Sequence, residues 1–358
     1  MMVNNHKMGG TAKLIPSSQQ LKLRRRFFYI MEEKMKRISI LLAALVLLLS
    51  GCAKENEKQN ETNDGAYRIG IVQYMDHKAL DDSREGFVEI LDELGVNYDL
   101  DYKNAQGDMA TARAICEKFV ADGVDLIYAI ATPAAQGAQG ATDETPIIFA
   151  AVTDPVGAGL VASEDQPGGN ITGVSDRANI KDQLEIYKDL DPSIKTLGLV
   201  YSLDEINSKV QVDQVEKIGK DLGFEIKTKG ILNISDLGPT ASALISEVDG
   251  FYILSDNKIA SSISLLSDML IENKMISVCG EESQVRGGGL LTRGMKYKSL
   301  GNQAGAMAEK ILVEKVSPAD LPVEGPEEAK MIVNEKTLEA LGLSKDLEVL
   351  KDAEYIGD

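Results

Sequence analysis

The sequence predicts an α/β fold of two lobes, in which each lobe is an open parallel sheet covered by helices. The chain has 358 residues, which is too long for one ordinary core and comfortable for two. From Tyr67 onward, short apolar runs alternate with segments of helical period. This alternation is typical of parallel strands joined by helices.

Each predicted strand is a short apolar run flanked by turn-forming residues. The runs are 68–73, 125–130, 147–151, 196–201, 250–254 and 276–279. Between them, Phe87, Leu91 and their neighbours form one helical stripe, and a second stripe points Cys116 into a core. The glycine-containing segments 166–173 and 286–289 interrupt the alternation, and we predict that the chain crosses between lobes there.

Composition and charge exclude several classes of function. Downstream of residue 52 the chain carries 29 basic and 54 acidic residues, a balance that opposes nucleic-acid binding. His6 and His77 are the two histidines, and the three cysteines match no metal-site spacing, so we expect no metal. The serine-hydrolase elbow and the phosphate-binding loop are both missing from the sequence. We therefore predict a protein that is not an enzyme and needs no cofactor.

The N-terminus resembles that of an exported lipoprotein. Lys36 and Arg37 precede an apolar stretch of signal-peptide length, which ends in the lipobox-like letters LSGC at Cys52. We predict a signal peptide over 35–52, a lipidated Cys52 and a polar tether over 53–66. An incidental cysteine after a plain anchor helix is the alternative. Residues 1–34 are interpreted as an extension from a misassigned start codon, with a functional basic extension as the alternative.

Ligands of open α/β sheets bind beyond the carboxyl ends of the strands. There, Thr132 and Pro133 fit an N-cap and a first helical residue, which leaves the amides of Ala134 and Ala135 free to face a carboxylate. Capping without a ligand is an equal alternative.

Two acids lie at the corresponding strand ends of the second lobe. Asp256 and Glu281 follow separate strands, where an unpaired carboxylate attracts an ammonium group. Helix capping is the alternative for Asp256. Acids together with free amides suit a zwitterion.

Five segments carry a family resemblance. They read NAQGD at 104–108, AIATPAAQ at 129–136, AVTDPVGAGL at 151–160, PGGNITG at 167–173 and GEE at 280–282. From about Tyr67 to about Leu343 the chain resembles ABC transporter substrate-binding proteins of the tryptophan- and tyrosine-binding lipoprotein type.

The resemblance implies a type I periplasmic-binding-protein fold: two Rossmann-like lobes joined by a three-stranded hinge. It places lobe 1 at 67–178 plus 292–321 and lobe 2 at 179–291 plus 322–358. It also implies a pocket formed by Gln73, Thr132, Asp154, Ser202, Asn207, Asp256, Asn257 and Glu281. The segment 292–297 and Lys78 depart from the family's usual letters.

The implied function is capture of a small solute, most simply an aromatic amino acid (tryptophan or tyrosine), for a permease with its ATPase. We predict a monomer outside the cytoplasm, held at the membrane only by lipidated Cys52. Alternatives are another amino acid or small solute, and a sensory co-receptor in place of transport.

Overall fold

The computed structural model describes residues 65–326 and 329–357. The predicted extension, signal peptide and lipidation site lie outside these residues, as does the tether up to residue 64. None of the described helices is long and apolar enough to cross a membrane.

The first lobe is built on a parallel five-stranded sheet in the order β2-β1-β3-β4-β5. Its strands are β1 (Tyr67–Gln73), β2 (Tyr98–Asn104), β3 (Leu126–Ile130), β4 (Ile147–Val152) and β5 (Ile171–Ser175). The helices are α1 (Lys78–Glu93), α2 (Met109–Asp122), α3 (Thr132–Gln139) and, from later in the chain, α10 (Tyr297–Leu312). Every residue of β3 and β4 is buried, as expected for central parallel strands covered on both faces.

The second lobe contains seven strands in the order β12-β11-β10-β9-β8-β6-β7. They are β6 (Thr196–Ser202), β7 (Glu225–Ile231), β8 (Gly250–Ile253), β9 (Ile276–Cys279), β10 (Leu291–Gly294), β11 (Lys330–Asn334) and β12 (Glu354–Ile356). β10 and β11 pair antiparallel, whereas the other neighbours are parallel.

The second sheet has an apolar cluster on each face. The covering helices are α4 (Ile180–Leu190), α5 (Ile206–Leu222), α6 (Leu237–Ile245), α7 (Asn257–Ser261), α8 (Ile263–Glu272), α9 (Glu282–Arg286) and α11 (Glu335–Leu341).

Local sequence accounts for the helix ends. Asp108 caps α2 by accepting a hydrogen bond from the Thr111 amide at 2.6 Å. Gly123 ends that helix in the left-handed conformation, which glycine adopts without steric cost. Cys116 is fully buried between these ends, which confirms its predicted core position.

The lobes are joined by three segments: 176–179 after β5, 295–296 before α10, and 322–329 before β11, of which 327 and 328 are not described. The third segment pairs with the end of β5, because the Ser175 amide donates to the Glu324 carbonyl at 2.8 Å. The predicted crossings at 166–173 and 286–289 are wrong. The first leads into β5 of the same lobe, and the second leads from α9 into β10 of the same sheet.

One predicted lobe boundary also differs from the structure. Residue 292 was expected to begin the return to lobe 1, but Leu291–Gly294 forms β10 of the second sheet. The chain therefore enters lobe 1 after Gly294, because the antiparallel pairing of β10 with β11 holds these residues in lobe 2.

Candidate functional site

A cavity with an empty volume of about 300 Å³ lies where the carboxyl ends of both sheets meet. The first lobe and the segments that join the lobes supply His77, Ala79, Leu80, Ala151, Thr153, Asp176 and Tyr297. The second lobe supplies Asn207, Ser255, Asp256, Asn257, Ala260, Glu281 and Gln284. The lining combines polar groups with small apolar side chains, as in sites for small solutes.

Unpartnered polar atoms concentrate around this cavity. Among the described residues, seven buried side-chain nitrogen or oxygen atoms lack a hydrogen-bond partner, and three of them belong to residues that line the cavity. These are His77 Nδ1, Asp176 Oδ1 and Asn207 Oδ1. Thr132 Oγ1 and Glu205 Oε1 also lack partners, but these two residues do not line the cavity. A buried polar group without a partner costs about 1–3 kcal/mol. Three such atoms in one cavity indicate a position where a bound molecule supplies the missing partners.

Thr132 begins α3 in a way the sequence did not predict. The N-cap is Ala131, whose φ of 84° and ψ of 154° lie in a region that L-residues rarely adopt. Thr132 is thus a helical residue and not the cap, which corrects the predicted assignment. The Ala135 amide donates to the Ala131 carbonyl at 3.0 Å and is therefore not free. Thr132 Oγ1 is buried and has no partner in the protein.

A second strained residue lies on the neighbouring strand. Ala151 has a φ of 58° and lines the cavity, and the pairing of β4 with β5 shifts register beside it. Positive φ at alanine costs free energy and clusters at functional sites. The carboxyl ends of β3 and β4 are thus held in unusual conformations where the cavity begins.

Asp256 accepts several hydrogen bonds from other polar groups of the second lobe. Its carboxylate accepts hydrogen bonds from the Ser202 amide at 2.7 Å, Ser202 Oγ at 2.8 Å, Ser208 Oγ at 2.6 Å and the Ile259 amide at 3.0 Å. The capping role weighed from the sequence is present here, since the Ile259 amide belongs to the first turn of α7. Ser202 is fully buried and acts as a support of Asp256.

Glu281 is likewise a cap, on α9. Its carboxylate accepts from Ser283 Oγ at 2.6 Å and the Gln284 amide at 3.1 Å. Burial raises the pKa of Glu281 to about 7, against the opposing effect of these hydrogen bonds. Near neutral pH this cavity-lining acid is therefore divided between its neutral and charged forms.

Glu205 is a buried acid that the sequence reading missed. Its Oε2 atom accepts hydrogen bonds from Asn207 Nδ2 at 3.2 Å and Asn257 Nδ2 at 2.6 Å. Burial and then the nearby charge of Asp256 raise the pKa of Glu205. Both asparagines line the cavity, so Glu205 supports them from behind.

Asp176 begins a segment that joins the lobes, and Tyr297 is the first residue of α10. The Tyr297 hydroxyl donates to Asp176 Oδ2, and both side chains line the cavity. Burial raises the pKa of Asp176 and outweighs the lowering effect of the tyrosine hydrogen bond. Neither residue was predicted for the pocket, and Asp176 follows a strand, β5, that the sequence analysis did not recognise.

Four predicted pocket residues do not line the cavity: Thr132 and Ser202, described above, and Gln73 and Asp154. Gln73 is buried but already bonded, since its Nε2 donates to the Met75 carbonyl at 2.9 Å and its Oε1 accepts from Arg84 at 2.8 Å. Asp154 accepts from the Gly157 amide at 2.8 Å and lies 3.6 Å from the Arg177 guanidinium. A direct contact of either residue with solute stays a prediction from the family resemblance.

The cavity is rich in acids and holds no lysine or arginine among its lining residues. In the neighbourhood, Lys258 is buried but forms an ion pair with Asp204. Within the described ranges no group of histidine, cysteine and acidic residues has the arrangement of a metal site. Cys116 and Cys279 are both buried and unpaired.

Comparisons with known proteins agree with this geometry. The family model of ABC transporter substrate binding proteins matches residues 68–356. A tyrosine-binding protein of Clostridioides difficile is 41% identical over 326 residues, covering 87% of this chain and 94% of that protein.

Two solved structures differ in how well they superpose. A domain from Streptococcus pneumoniae in complex with L-Trp matches with a TM-score of 0.78 and 34% identity, covering 81% of this chain and 99% of that one. A ligand-free, open substrate binding protein from Clostridium difficile matches with a TM-score of 0.64 and 40% identity, covering 82% and 99%. The described lobes therefore superpose better on the L-Trp complex than on an open relative of higher identity.

The match along most of the chain, the two lobes and the cavity between them have one explanation. The architecture is the predicted type I periplasmic-binding-protein fold, and its function is extracytoplasmic solute binding rather than catalysis. The chain belongs to the family of ABC transporter substrate binding proteins.

Proposed function

We propose that this protein captures an aromatic amino acid, tryptophan or tyrosine, and delivers it to an ABC permease as a monomer anchored through lipidated Cys52. The observation that carries the proposal is a set of three unpartnered buried polar atoms, on His77, Asp176 and Asn207, that line one interlobe cavity. The names of the relatives supply the solute class, since one is a tyrosine-binding protein and another was solved with L-Trp.

The lining of the cavity suits an amino acid in chemistry. Ala79, Leu80, Ala151 and Ala260 form apolar wall, and the Tyr297 ring is available to stack on an aromatic side chain. The surrounding carboxylates favour an ammonium group, whereas Thr132 at the start of α3 favours a carboxylate.

Solute binding stabilises the closed arrangement of the lobes in this proposal. The structure already contains a hydrogen-bonding contact between the lobes, His77 Nε2 to Asn257 Oδ1 at 3.1 Å. A solute that touches both walls is bound fully only when the lobes are closed, so it shifts the population toward closure. The permease then receives a shape that exists mainly with solute bound.

A fluorescence titration tests the solute class. The chain has eleven tyrosines and no tryptophan, so all indole emission comes from added L-tryptophan, and binding is measured as the saturable part above the linear signal of the free amino acid. We expect saturable emission with L-tryptophan, displaced by excess L-tyrosine. No saturable indole emission, together with a thermal shift caused by a different solute, would overturn the aromatic assignment.

The anchor has a separate test in cells. Replacing Cys52 by serine removes the predicted acylation site, and we expect the protein to lose its lipid label and leave the membrane fraction. Cys116→Ser is the control, because that thiol is buried in the first lobe. Retention of the lipid label by the Cys52→Ser protein would contradict the anchor.

A further inference from the structure

One oxygen of Glu205 collects three hydrogen bonds. Asn257 Nδ2 donates to Oε2 at 2.6 Å, Asn207 Nδ2 at 3.2 Å and the Asn257 backbone amide at 3.3 Å. An oxygen that accepts three N–H groups does not carry a proton itself. Even when Glu205 is protonated, the proton lies on Oε1, and Oε2 keeps its role as acceptor.

This arrangement orients the Asn257 amide. Because Nδ2 donates to Glu205, Oδ1 is directed at the other neighbour, His77 Nε2, at 3.1 Å. An amide oxygen only accepts, so the hydrogen between these atoms must belong to Nε2. In the neutral imidazole, Nδ1 then carries a lone pair and no hydrogen.

The same atom, His77 Nδ1, is buried and has no partner in the protein. The ring borders the cavity beside Ala79 and Leu80. Burial lowers the pKa of His77, against the opposing charges of Asp81, Asp256 and Asp76 and the hydrogen bond with Asn257, so the neutral ring prevails at neutral pH.

We infer that His77 Nδ1 accepts a hydrogen bond from an N–H or O–H group of the solute, and that Glu205 and Asn257 are positioning residues that hold the ring in the required tautomer. The inference rests on the proposed solute binding and adds a specificity element to it. His77 precedes α1 in the first lobe, whereas Glu205 and Asn257 lie in the second. The tautomer that receives the solute is therefore fixed only when the lobes are closed.

Nitrogen-15 spectroscopy of the imidazole rings tests the tautomer directly. The full chain has two histidines, His6 and His77, and a His6→Gln variant assigns their signals. We expect His77 at neutral pH to show a protonated Nε2 and an unprotonated Nδ1 once solute holds the lobes closed. A protonated Nδ1 in the neutral ring would overturn the inference without affecting the proposed function.

Solute addition tests the acceptor role. Saturation with L-tryptophan or L-tyrosine should move the Nδ1 resonance in the direction of a hydrogen-bonded acceptor. An unmoved Nδ1 signal, in a sample whose thermal shift shows saturation, contradicts the inference alone. Absence of a thermal shift with any amino acid contradicts the proposed function, and with it the inference that rests on that function.

Variants separate positioning from folding. Asn257→Ala removes the acceptor for Nε2–H, and we expect mixed tautomers and an affinity loss of about tenfold, equivalent to one hydrogen bond. Asn233→Ala, at an exposed position, is the control and should change neither the tautomer nor the affinity. If Asn257→Ala does not fold, two variants of Glu205 replace it. Glu205→Gln keeps an acceptor oxygen and should retain the His77 tautomer, whereas Glu205→Ala removes the acceptor and should lose it. Equal spectra and affinities for these two Glu205 variants would overturn the positioning role.

Discussion

The two walls of the cleft hold their polar groups in different ways. In the second lobe, Asp256 accepts four hydrogen bonds and Glu281 caps a helix, so both acids are held in place, although Glu205 Oε1 and Asn207 Oδ1 lack partners. In the first lobe, Ala131 and Ala151 are held at positive φ, and Thr132 Oγ1 has no partner. The second lobe thus offers a preorganised polar surface, whereas the first offers strained backbone and an unpaired hydroxyl.

The difference assigns separate tasks to the walls. A preorganised polar wall binds solute with little reorganisation, since its groups already stand in place. The first-lobe wall gains partners only when solute is present. Substitutions in the second lobe should therefore affect folding and binding together, and polar substitutions in the first lobe should affect binding alone.

The largest expected effect is that of Asp256→Ala. It leaves four donors without an acceptor, and we expect a loss of unfolding free energy on the order of 4 kcal/mol. Urea unfolding measures it, with the exposed Asp268→Ala as control. If Asp256→Ala is as stable as the control, the second wall is not held by this carboxylate.

Gly301→Ala tests the first lobe away from the cleft. A Cβ at this position of α10 meets the Ser83 carbonyl oxygen of α1 at 2.0 Å, so the helices must separate. We expect a destabilisation of about 3 kcal/mol from this overpacking, measured by thermal and urea unfolding. Gly169→Ala, whose Cβ meets nothing within 4 Å, should be neutral. Equal stability of the two variants would contradict the close helix contact.

The protonation of Glu281 should make the stability of the protein depend on pH. The folded-state pKa of Glu281 is raised from 4.5 to about 7 by burial. A raised pKa means that the folded state binds the proton more tightly than the unfolded state does. Protonated Glu281 therefore adds to the free energy of unfolding, in full below about pH 4.5, and this addition is lost as pH rises through about 7.

Glu281→Gln should remove this slope, which we expect to amount to about 2 kcal/mol between pH 5 and pH 8. Unfolding curves at the two pH values measure the slope in both proteins. An identical slope in the wild type and the variant would show that Glu281 does not titrate in this window.

The smallest effect should come from Thr132→Val. The variant keeps the shape of the side chain and removes a hydroxyl that has no partner in the protein. We expect unchanged unfolding free energy and an affinity for solute that falls about tenfold. Calorimetric titration together with urea unfolding checks both values. A loss of stability with intact affinity would reverse the roles assigned to the two walls.

Much of the fold could be predicted from the sequence because apolar runs mark central strands. Each of the six predicted runs overlaps an observed strand. The edge strands β2 and β7 were not predicted, since they alternate charged and apolar residues and are mostly part-exposed. β5 was misread as an interruption because Gly173 lies within it.

The site was predictable only where a residue follows a strand. Asn207, Asp256, Asn257 and Glu281 do line the cavity, although their contacts with solute stay a prediction. His77 and Glu205 were missed because their roles depend on hydrogen bonds to Asn257, which is distant from both in the sequence. The positive φ of Ala131 was equally hidden, because alanine carries no sequence signal for that conformation.

The central claim is that the cleft between the lobes holds an amino acid. Isothermal titration of the full chain with L-tryptophan and L-tyrosine tests it most directly, with an Asn207→Ala variant in parallel. We predict saturable binding at one solute per chain, weakened about tenfold in the variant through loss of one hydrogen-bonding group at the cavity. Absence of binding by either amino acid, or equal binding by the variant, would contradict the account.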